Sequence, residues 1–208
     1  MNSSTEPEQP PGEVSDGNLQ QAATAPALPP RRIALVATLA IIVLVLDQVT
    51  KVLVVANLTE GVPRRILGGA VYLTLFRNAG AAFSTGTGLT WLLALVAVAV
   101  VIWIIRTASR LRSTAWAIAL GLVLGGAVGN LCDRFFRSPG FLRGHVVDFV
   151  SLFESDGRHF AVFNVADSGI TLGGVALVIT ALLGIDMDGR RSKDTKDAKD
   201  NKDTASHG

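Results

Sequence analysis

Ala115-Trp116-Ala117-Ile118-Ala119-Leu120-Gly121-Leu122-Val123-Leu124-Gly125-Gly126-Ala127-Val128-Gly129-Asn130-Leu131-Cys132 carries no charge along its whole length. A helix of about 20 apolar residues crosses the ~30 Å hydrocarbon core of a bilayer, and this run approaches that length. Its glycines, Gly121, Gly125, Gly126 and Gly129, allow the close helix–helix contact that lipid-embedded helices use. Its polar groups come late: Asn130, then Asp133 and Arg134 just beyond. Three further apolar stretches flank it, at residues 33 to about 57, 89–105 and 168–185, the last with Gly173 and Gly174. The first is free of charge only as far as Leu46. Four segments apolar all round would need a polar shell to form a soluble helical protein. With 17% charged residues in 208, this chain lacks one. The reading is an all-α integral membrane protein with four transmembrane helices and no repeat of fixed period.

Charge is uneven. Residues 1–32 and 186–208 hold half of all Lys, Arg, Asp and Glu, and the net charge is only +2. That balance excludes a nucleic-acid binder driven by excess basic charge. Residues 1–32, rich in Pro, Ser, Gly, Gln and Glu, read as a disordered tail; the Lys-Asp repeats near the end read as a second, charged low-complexity tail over 186–208. The membrane domain is thus expected over 33–185. The single cysteine, Cys132, excludes a disulfide framework and any C-x-x-C motif. An even number of spans places both termini on one side. The link between the second and third spans carries Arg106, Arg110 and Arg112 without an acid, and the tails add further basic residues. The positive-inside rule therefore places both termini in the cytoplasm.

Two longer loops then lie outside, at about residues 58–88 and 133–167. The alternating, β-rich segment at 71–76 reads as a strand; 146–150 and 160–163 are candidates for two more. A small β-containing subdomain on the outer face is expected. The unusual polar residues also converge there. Asp47 sits about 21 Å along the first helix at ~1.5 Å per residue, with Lys51 one turn further on the same face. Asn130, Asp133 and Arg134 end the third span, Asn164 and Asp167 open the fourth, and Asn78 and Asp148 lie in the loops. Ionisable groups at such positions are expensive and mark functional sites by default. The structural alternative is that Asp47–Lys51 and Asp133–Arg134 are ion pairs fixing helix ends, Asp148 a strand-edge carboxylate and Asp167 a helix N-cap.

Together with their neighbours these residues form five segments. Asp47-Gln48-Val49-Thr50-Lys51 resembles the D-Q-x-T-K motif of the lipoprotein signal peptidases (signal peptidase II). Asn78-Ala79-Gly80-Ala81-Ala82-Phe83-Ser84 resembles their N-x-G-x-A-F segment. Residues Gly125 to Arg134 match G-G-A-x-G-N-x-x-D-R, Val146-Val147-Asp148-Phe149 matches V-V-D-F, and Phe163-Asn164-Val165-Ala166-Asp167 matches F-N-x-A-D. The order is the family's, and the resemblance covers about residues 33–185. Residues 135–142 look like an insertion between motifs.

The resemblance implies an aspartic endopeptidase of the bacterial cell membrane, active at its outer face. Its substrates would be prolipoproteins that already carry a diacylglyceryl group on a cysteine, cut just before that cysteine. Asp148 and Asp167 would be the catalytic pair. Asn78, Gly80, Asn130, Arg134, Asn164 and Ala166 would line or brace the site, while Asp47, Lys51 and Asp133 would support it. No metal or organic cofactor is implied. Membrane lipid is the expected surrounding, and a site made within one chain suits a monomer.

The chemistry fits. Two carboxylates in a poorly solvated site tend to share one proton, so one can take a proton from water while the other donates to the carbonyl oxygen. Asp167, at a helix start, reads as the base; Asp148, among Val146, Val147 and Phe149, reads as the acid. The loop around 71–84 is a candidate platform or lid. Two other readings compete. One is a cysteine protease using Cys132 with His145 or His159, although a thiol beside an apolar span is more often buried core. The other is a small transporter or channel component using Asp47 and Lys51 as an ion path. The three histidines show no H-E-x-x-H metal motif.

Overall fold

The protein is described by a computed structural model covering residues 30–80, 90–155, 157 and 160–190. Residues 1–29 and 191–208 of the expected tails, residues 81–84 of the N-x-G-x-A-F segment, Asp156 and His159 lie outside the described residues.

Four helices are long and apolar enough to cross a membrane: α1 Ile33–Asn57, α2 Thr90–Ala108, α3 Thr114–Phe136 and α4 Val165–Leu182. In hydrocarbon every backbone N–H and C=O must find a partner within the protein, and a helix achieves this segment by segment. α3 is the central helix, packing on α1, α2 and α4, and α1 also touches α4. Its adjacent glycines serve different neighbours. A Cβ on Gly125 would stand 2.7 Å from the Ala40 carbonyl oxygen of α1, and one on Gly126 would collide with the Ala166 carbonyl of α4. α1 needs only a narrow stripe, Val36, Ala40, Val43, Asp47 and Lys51, stepping by three and four residues. Much of the rest of its surface, Ile41 and Val52 among it, is exposed, as a lipid-facing helix requires.

At one end of the bundle Val36, Ile104, Ala108, Leu111, Ala117 and Leu120 form an apolar core, with Trp116 and Met187 packed against it. Arg32 N donates to Leu111 O at 2.9 Å, while Arg112 N and Ser113 N donate to Met187 O at 2.9 and 3.0 Å. Both ends of the described chain thus meet the α2–α3 link, and packing continues beyond residue 185 to Met187.

The opposite end carries an antiparallel sheet in the order β1-β2-β3, with β1 Arg64–Ile66, β2 Val71–Asn78 and β3 Val146–Leu152. The strands expected at 71–76 and 146–150 are present and longer. The one expected at 160–163 is not formed: Phe163 makes only an isolated bridge to Val150. The third strand is Arg64–Ile66, whose two arginines and single apolar residue hide it from any alternation pattern. Phe76 pairs with Asp148 and Asn78 with Val146, past an irregularity between Leu73 and Phe76.

Helix boundaries differ from expectation: α2 runs to Ala108, past 105, and α4 ends at Leu182, short of 185; two further differences bear on the site. α3 continues through Phe136, past the expected end at residue 132, because Arg137 at its C-cap reaches back to the Asp133 carboxylate. α4 opens at Val165. Asn164, not Asp167, is its N-cap: the Asn164 side chain accepts from Asp167 N, and the Asp167 side chain accepts from Asn164 N. The N-x-x-D spacing makes this reciprocal capping box.

Candidate active site

The sheet end of the bundle collects the charged residues. Lys51 is fully buried between two carboxylates, with Nζ 2.8 Å from Asp47 Oδ2 and 2.8 Å from Asp133 Oδ2. Each carboxylate then fixes another element. Asp47 Oδ1 accepts from Ala166 N at 2.9 Å, tying α1 to the start of α4. Asp133 Oδ2 accepts from Val147 N at 3.1 Å, tying α3 to β3. Gln48 Nε2 adds bonds to Asp47 Oδ2 and Gly129 O. A buried cation with a full set of acceptors avoids the penalty that an unpaired one would carry.

The expected Asp133–Arg134 ion pair is not formed. Successive residues point to different sides of a helix, and Asp133 turns to Lys51 and Arg137. Arg134 instead donates to three backbone carbonyls: Asn78 O at 3.1 Å, Gly144 O at 3.0 Å and Gly80 O at 2.9 Å. Five N–H groups in a rigid fork suit such a clamp. It fixes the end of β2, where Thr90 also donates to Ala79 O.

Asp148 and Asp167 face this framework. Asp148 is buried in β3; its Oδ1 accepts from Asn164 Nδ2 at 2.7 Å and its Oδ2 from Asn78 Nδ2 at 2.9 Å. Asp167, half-buried, accepts from Asn130 Nδ2 on Oδ1 at 2.8 Å and from Asn164 N on Oδ2 at 3.2 Å. Asn164 therefore holds both carboxylates, one through its amide and the other through its backbone. Burial first, and the Asp167 carboxylate second, push the Asp148 carboxyl up to about 7, against the pull of the Asn78 and Asn164 N–H donors and the Lys51 charge. A carboxyl poised there can hold or release a proton at neutral pH.

Both carboxylates open into one cavity of about 860 Å³ between α2, α3 and α4. Asn78, Gly80, Asn130, Arg134, Asp148 and Asp167 form its polar end; the remaining wall is mostly aliphatic, with Leu93, Ala97, Val123 and Ile170 among it. Of the eleven candidate residues, these six line the cavity. Asn164 and Ala166 brace it from α4, and Asp47, Lys51 and Asp133 lie behind. Gln48, Arg137 and Gly144 were not singled out from sequence as site residues, and Gly129 was read only as a helix-contact glycine. Gly129 was in plain view: a Cβ there would stand 2.7 Å from Asp47 Oδ2. Gly144, against whose Cβ position the Asp133 carbonyl presses, had no motif to announce it.

Four spans, three of them around a largely apolar cavity with two carboxylates at its polar end, define a multi-pass membrane enzyme. Residues 39–183 match the family described as signal peptidase (SPase) II. Relatives named lipoprotein signal peptidase include one from Rhodococcus jostii, 56% identical over 72% of this chain and 73% of that one. Another, from Mycobacterium leprae, is 48% identical over 88% and 93%. A solved bacterial membrane enzyme, 26% identical over 75% of this chain and 97% of that one, superposes with a TM-score of 0.64. The chain belongs to the signal peptidase II family and is a membrane peptidase.

Proposed function

We propose that the protein removes the signal peptide from diacylglyceryl-modified bacterial prolipoproteins, cutting before the lipidated cysteine, with Asp148 and Asp167 as the catalytic dyad. The observation that carries this reading is the placing of both carboxylates on one asparagine, Asn164, at the polar end of an apolar cavity. The relatives' name supplies the substrate class. The more accessible Asp167 takes a proton from water as that water attacks the scissile carbonyl. Asp148, buried and holding its proton near neutrality, donates to the carbonyl oxygen. Collapse of the tetrahedral intermediate then breaks the C–N bond, and the leaving amine takes a proton from the dyad, which titrates as a unit.

The aliphatic wall suits the apolar signal helix and the acyl chains. Contacts remote from the scissile bond then orient it. The positive-inside count supports cytoplasmic termini and a cavity mouth at the outer face of the cell membrane, and a site made within one chain suits action as a monomer within lipid. Purified enzyme in detergent, given a diacylglyceryl prolipoprotein, is expected to release the signal peptide without any gradient. Asp148→Asn and Asp167→Asn are expected to stop it; near-normal release by either variant sinks the dyad.

A further inference from the structure

Three side-chain amides hold the two carboxylates, and each must point its NH₂ at them. An amide placed the other way would set oxygen against oxygen, so orientation matters as much as position. Two of the three are oriented by backbone. Asn78 Oδ1 accepts from Gly80 N at 2.9 Å, which turns its Nδ2 to Asp148. Asn164 Oδ1 accepts from Asp167 N at 2.8 Å, which turns its Nδ2 to Asp148 as well. Among the described residues the third has no backbone partner of this kind. Asn130 Oδ1 accepts from Lys51 Nζ at 3.1 Å and from Asn164 Nδ2 at 3.2 Å, and its Nδ2 donates to Asp167 Oδ1 at 2.8 Å.

Of those two donors, Asn164 Nδ2 is shared among Asn130 Oδ1, Val147 O and Asp148 Oδ1, with Asp148 the nearest at 2.7 Å. Lys51 is the stronger, charge-assisted donor. An ammonium is a donor only, so Lys51 rejects a flipped Asn130 amide, and it does so with a full charge where the Asn164 NH₂ does so without one. Asp47 and Asp133 fix Nζ in place, and a cation so held keeps its direction.

We infer that Lys51 is a positioning residue for the cleavage reaction, acting through Asn130 to present an N–H to Asp167. Its role is thus more than the closure of an ion-pair cluster. The inference rests on the dyad reading above. It predicts a defect in the chemical step, not in substrate capture, because Lys51 is buried behind the cavity and does not line it.

Asp47→Asn and the double variant Asp47→Asn/Lys51→Met provide the test. The amide oxygen of the first substitution can still accept from Ala166 N, and Asp133 keeps Arg137 in the second. In purified enzyme acting on a diacylglyceryl prolipoprotein, kcat of the double variant is expected to fall on the order of tenfold to a hundredfold below that of Asp47→Asn alone. KM should change by less than about twofold and the melting transition should stay cooperative. Equal kcat in the two variants overturns the inference. So does a parallel collapse of kcat, KM and melting in the double variant, which marks a purely structural cluster. Asp167→Asn runs alongside: retained cleavage there refutes the dyad itself. Its loss, together with equal kcat in the other two variants, refutes the Lys51 role alone.

Discussion

At the end where both ends of the described chain meet the α2–α3 link, Val36, Ile104, Ala108, Leu111, Ala117 and Leu120 pack without a polar atom among their side chains. At the sheet end α1, α3 and the start of α4 meet through Asp47, Lys51, Asp133, Asn130 and Asn164, every one hydrogen-bonded or ion-paired. Apolar packing is non-directional and tolerates small adjustments. Hydrogen bonds among buried polar groups fix distance and angle, and leaving one unmade is costly. The molecule thus separates the task of holding helices together from that of aiming side chains.

The sharpest test of that division is the dyad. Asp148→Asn and Asp167→Asn are expected to lower kcat on the order of 10⁴-fold, with melting in detergent close to that of the parent enzyme. Asn164→Ala comes next. It strips Asp148 of one donor and α4 of its cap, so kcat should fall roughly a hundredfold and stability by about 1 kcal/mol. A third experiment reads the proton. With Asp148 poised at about 7, cleavage should decline as pH rises past neutrality, by about tenfold per unit at the steepest. Asn78→Ala removes a donor that favours the anion and should move that decline to higher pH. The same shift has a stability signature. The folded enzyme keeps a proton that the unfolded chain loses between about pH 4 and 7, so stability falls with rising pH across that window and levels off above it. Melting curves of Asp148→Asn should lack this slope. The smallest effect on activity is expected from the opposite end. Leu120→Ala should cost about 2–5 kcal/mol of stability and leave kcat within about twofold. If it damages kcat as much as Asn164→Ala does, the two ends are not separable.

Much of the architecture was legible because lipid imposes simple rules. The uncharged run ending at Cys132 and its three companions are helices in the structure, and Gly121, Gly125, Gly126 and Gly173 fall where backbones touch, whereas a Cβ on Gly174 would meet nothing within 4 Å. Boundaries were less legible. The end of α3 depends on Arg137, a residue that read as part of an insertion, and the start of α4 depends on a reciprocal bond between Asn164 and Asp167. β1 was invisible because Arg64–Ile66 is a strand only by virtue of pairing with β2. At the site, motif order brought eleven candidates into view, and the structure places six of them around one cavity. Their pairings were another matter. Adjacent opposite charges at 133 and 134 suggest a pair on paper, while helix geometry sends them apart: one to a lysine from α1, the other to three carbonyls.

The Asp47–Lys51 contact has a consequence for the order of events during synthesis. Its two members lie four residues apart on the first helix, so the pair can close before any later helix exists. The earliest segment can therefore enter the bilayer as an electrically neutral rod, with its ion pair already made. Asp133 arrives with the third helix and Asp167 only with the fourth. A nascent chain that lacks the fourth helix holds at most one of the two proposed catalytic carboxylates, so on the proposed mechanism the peptidase stays inert until its last span is in place.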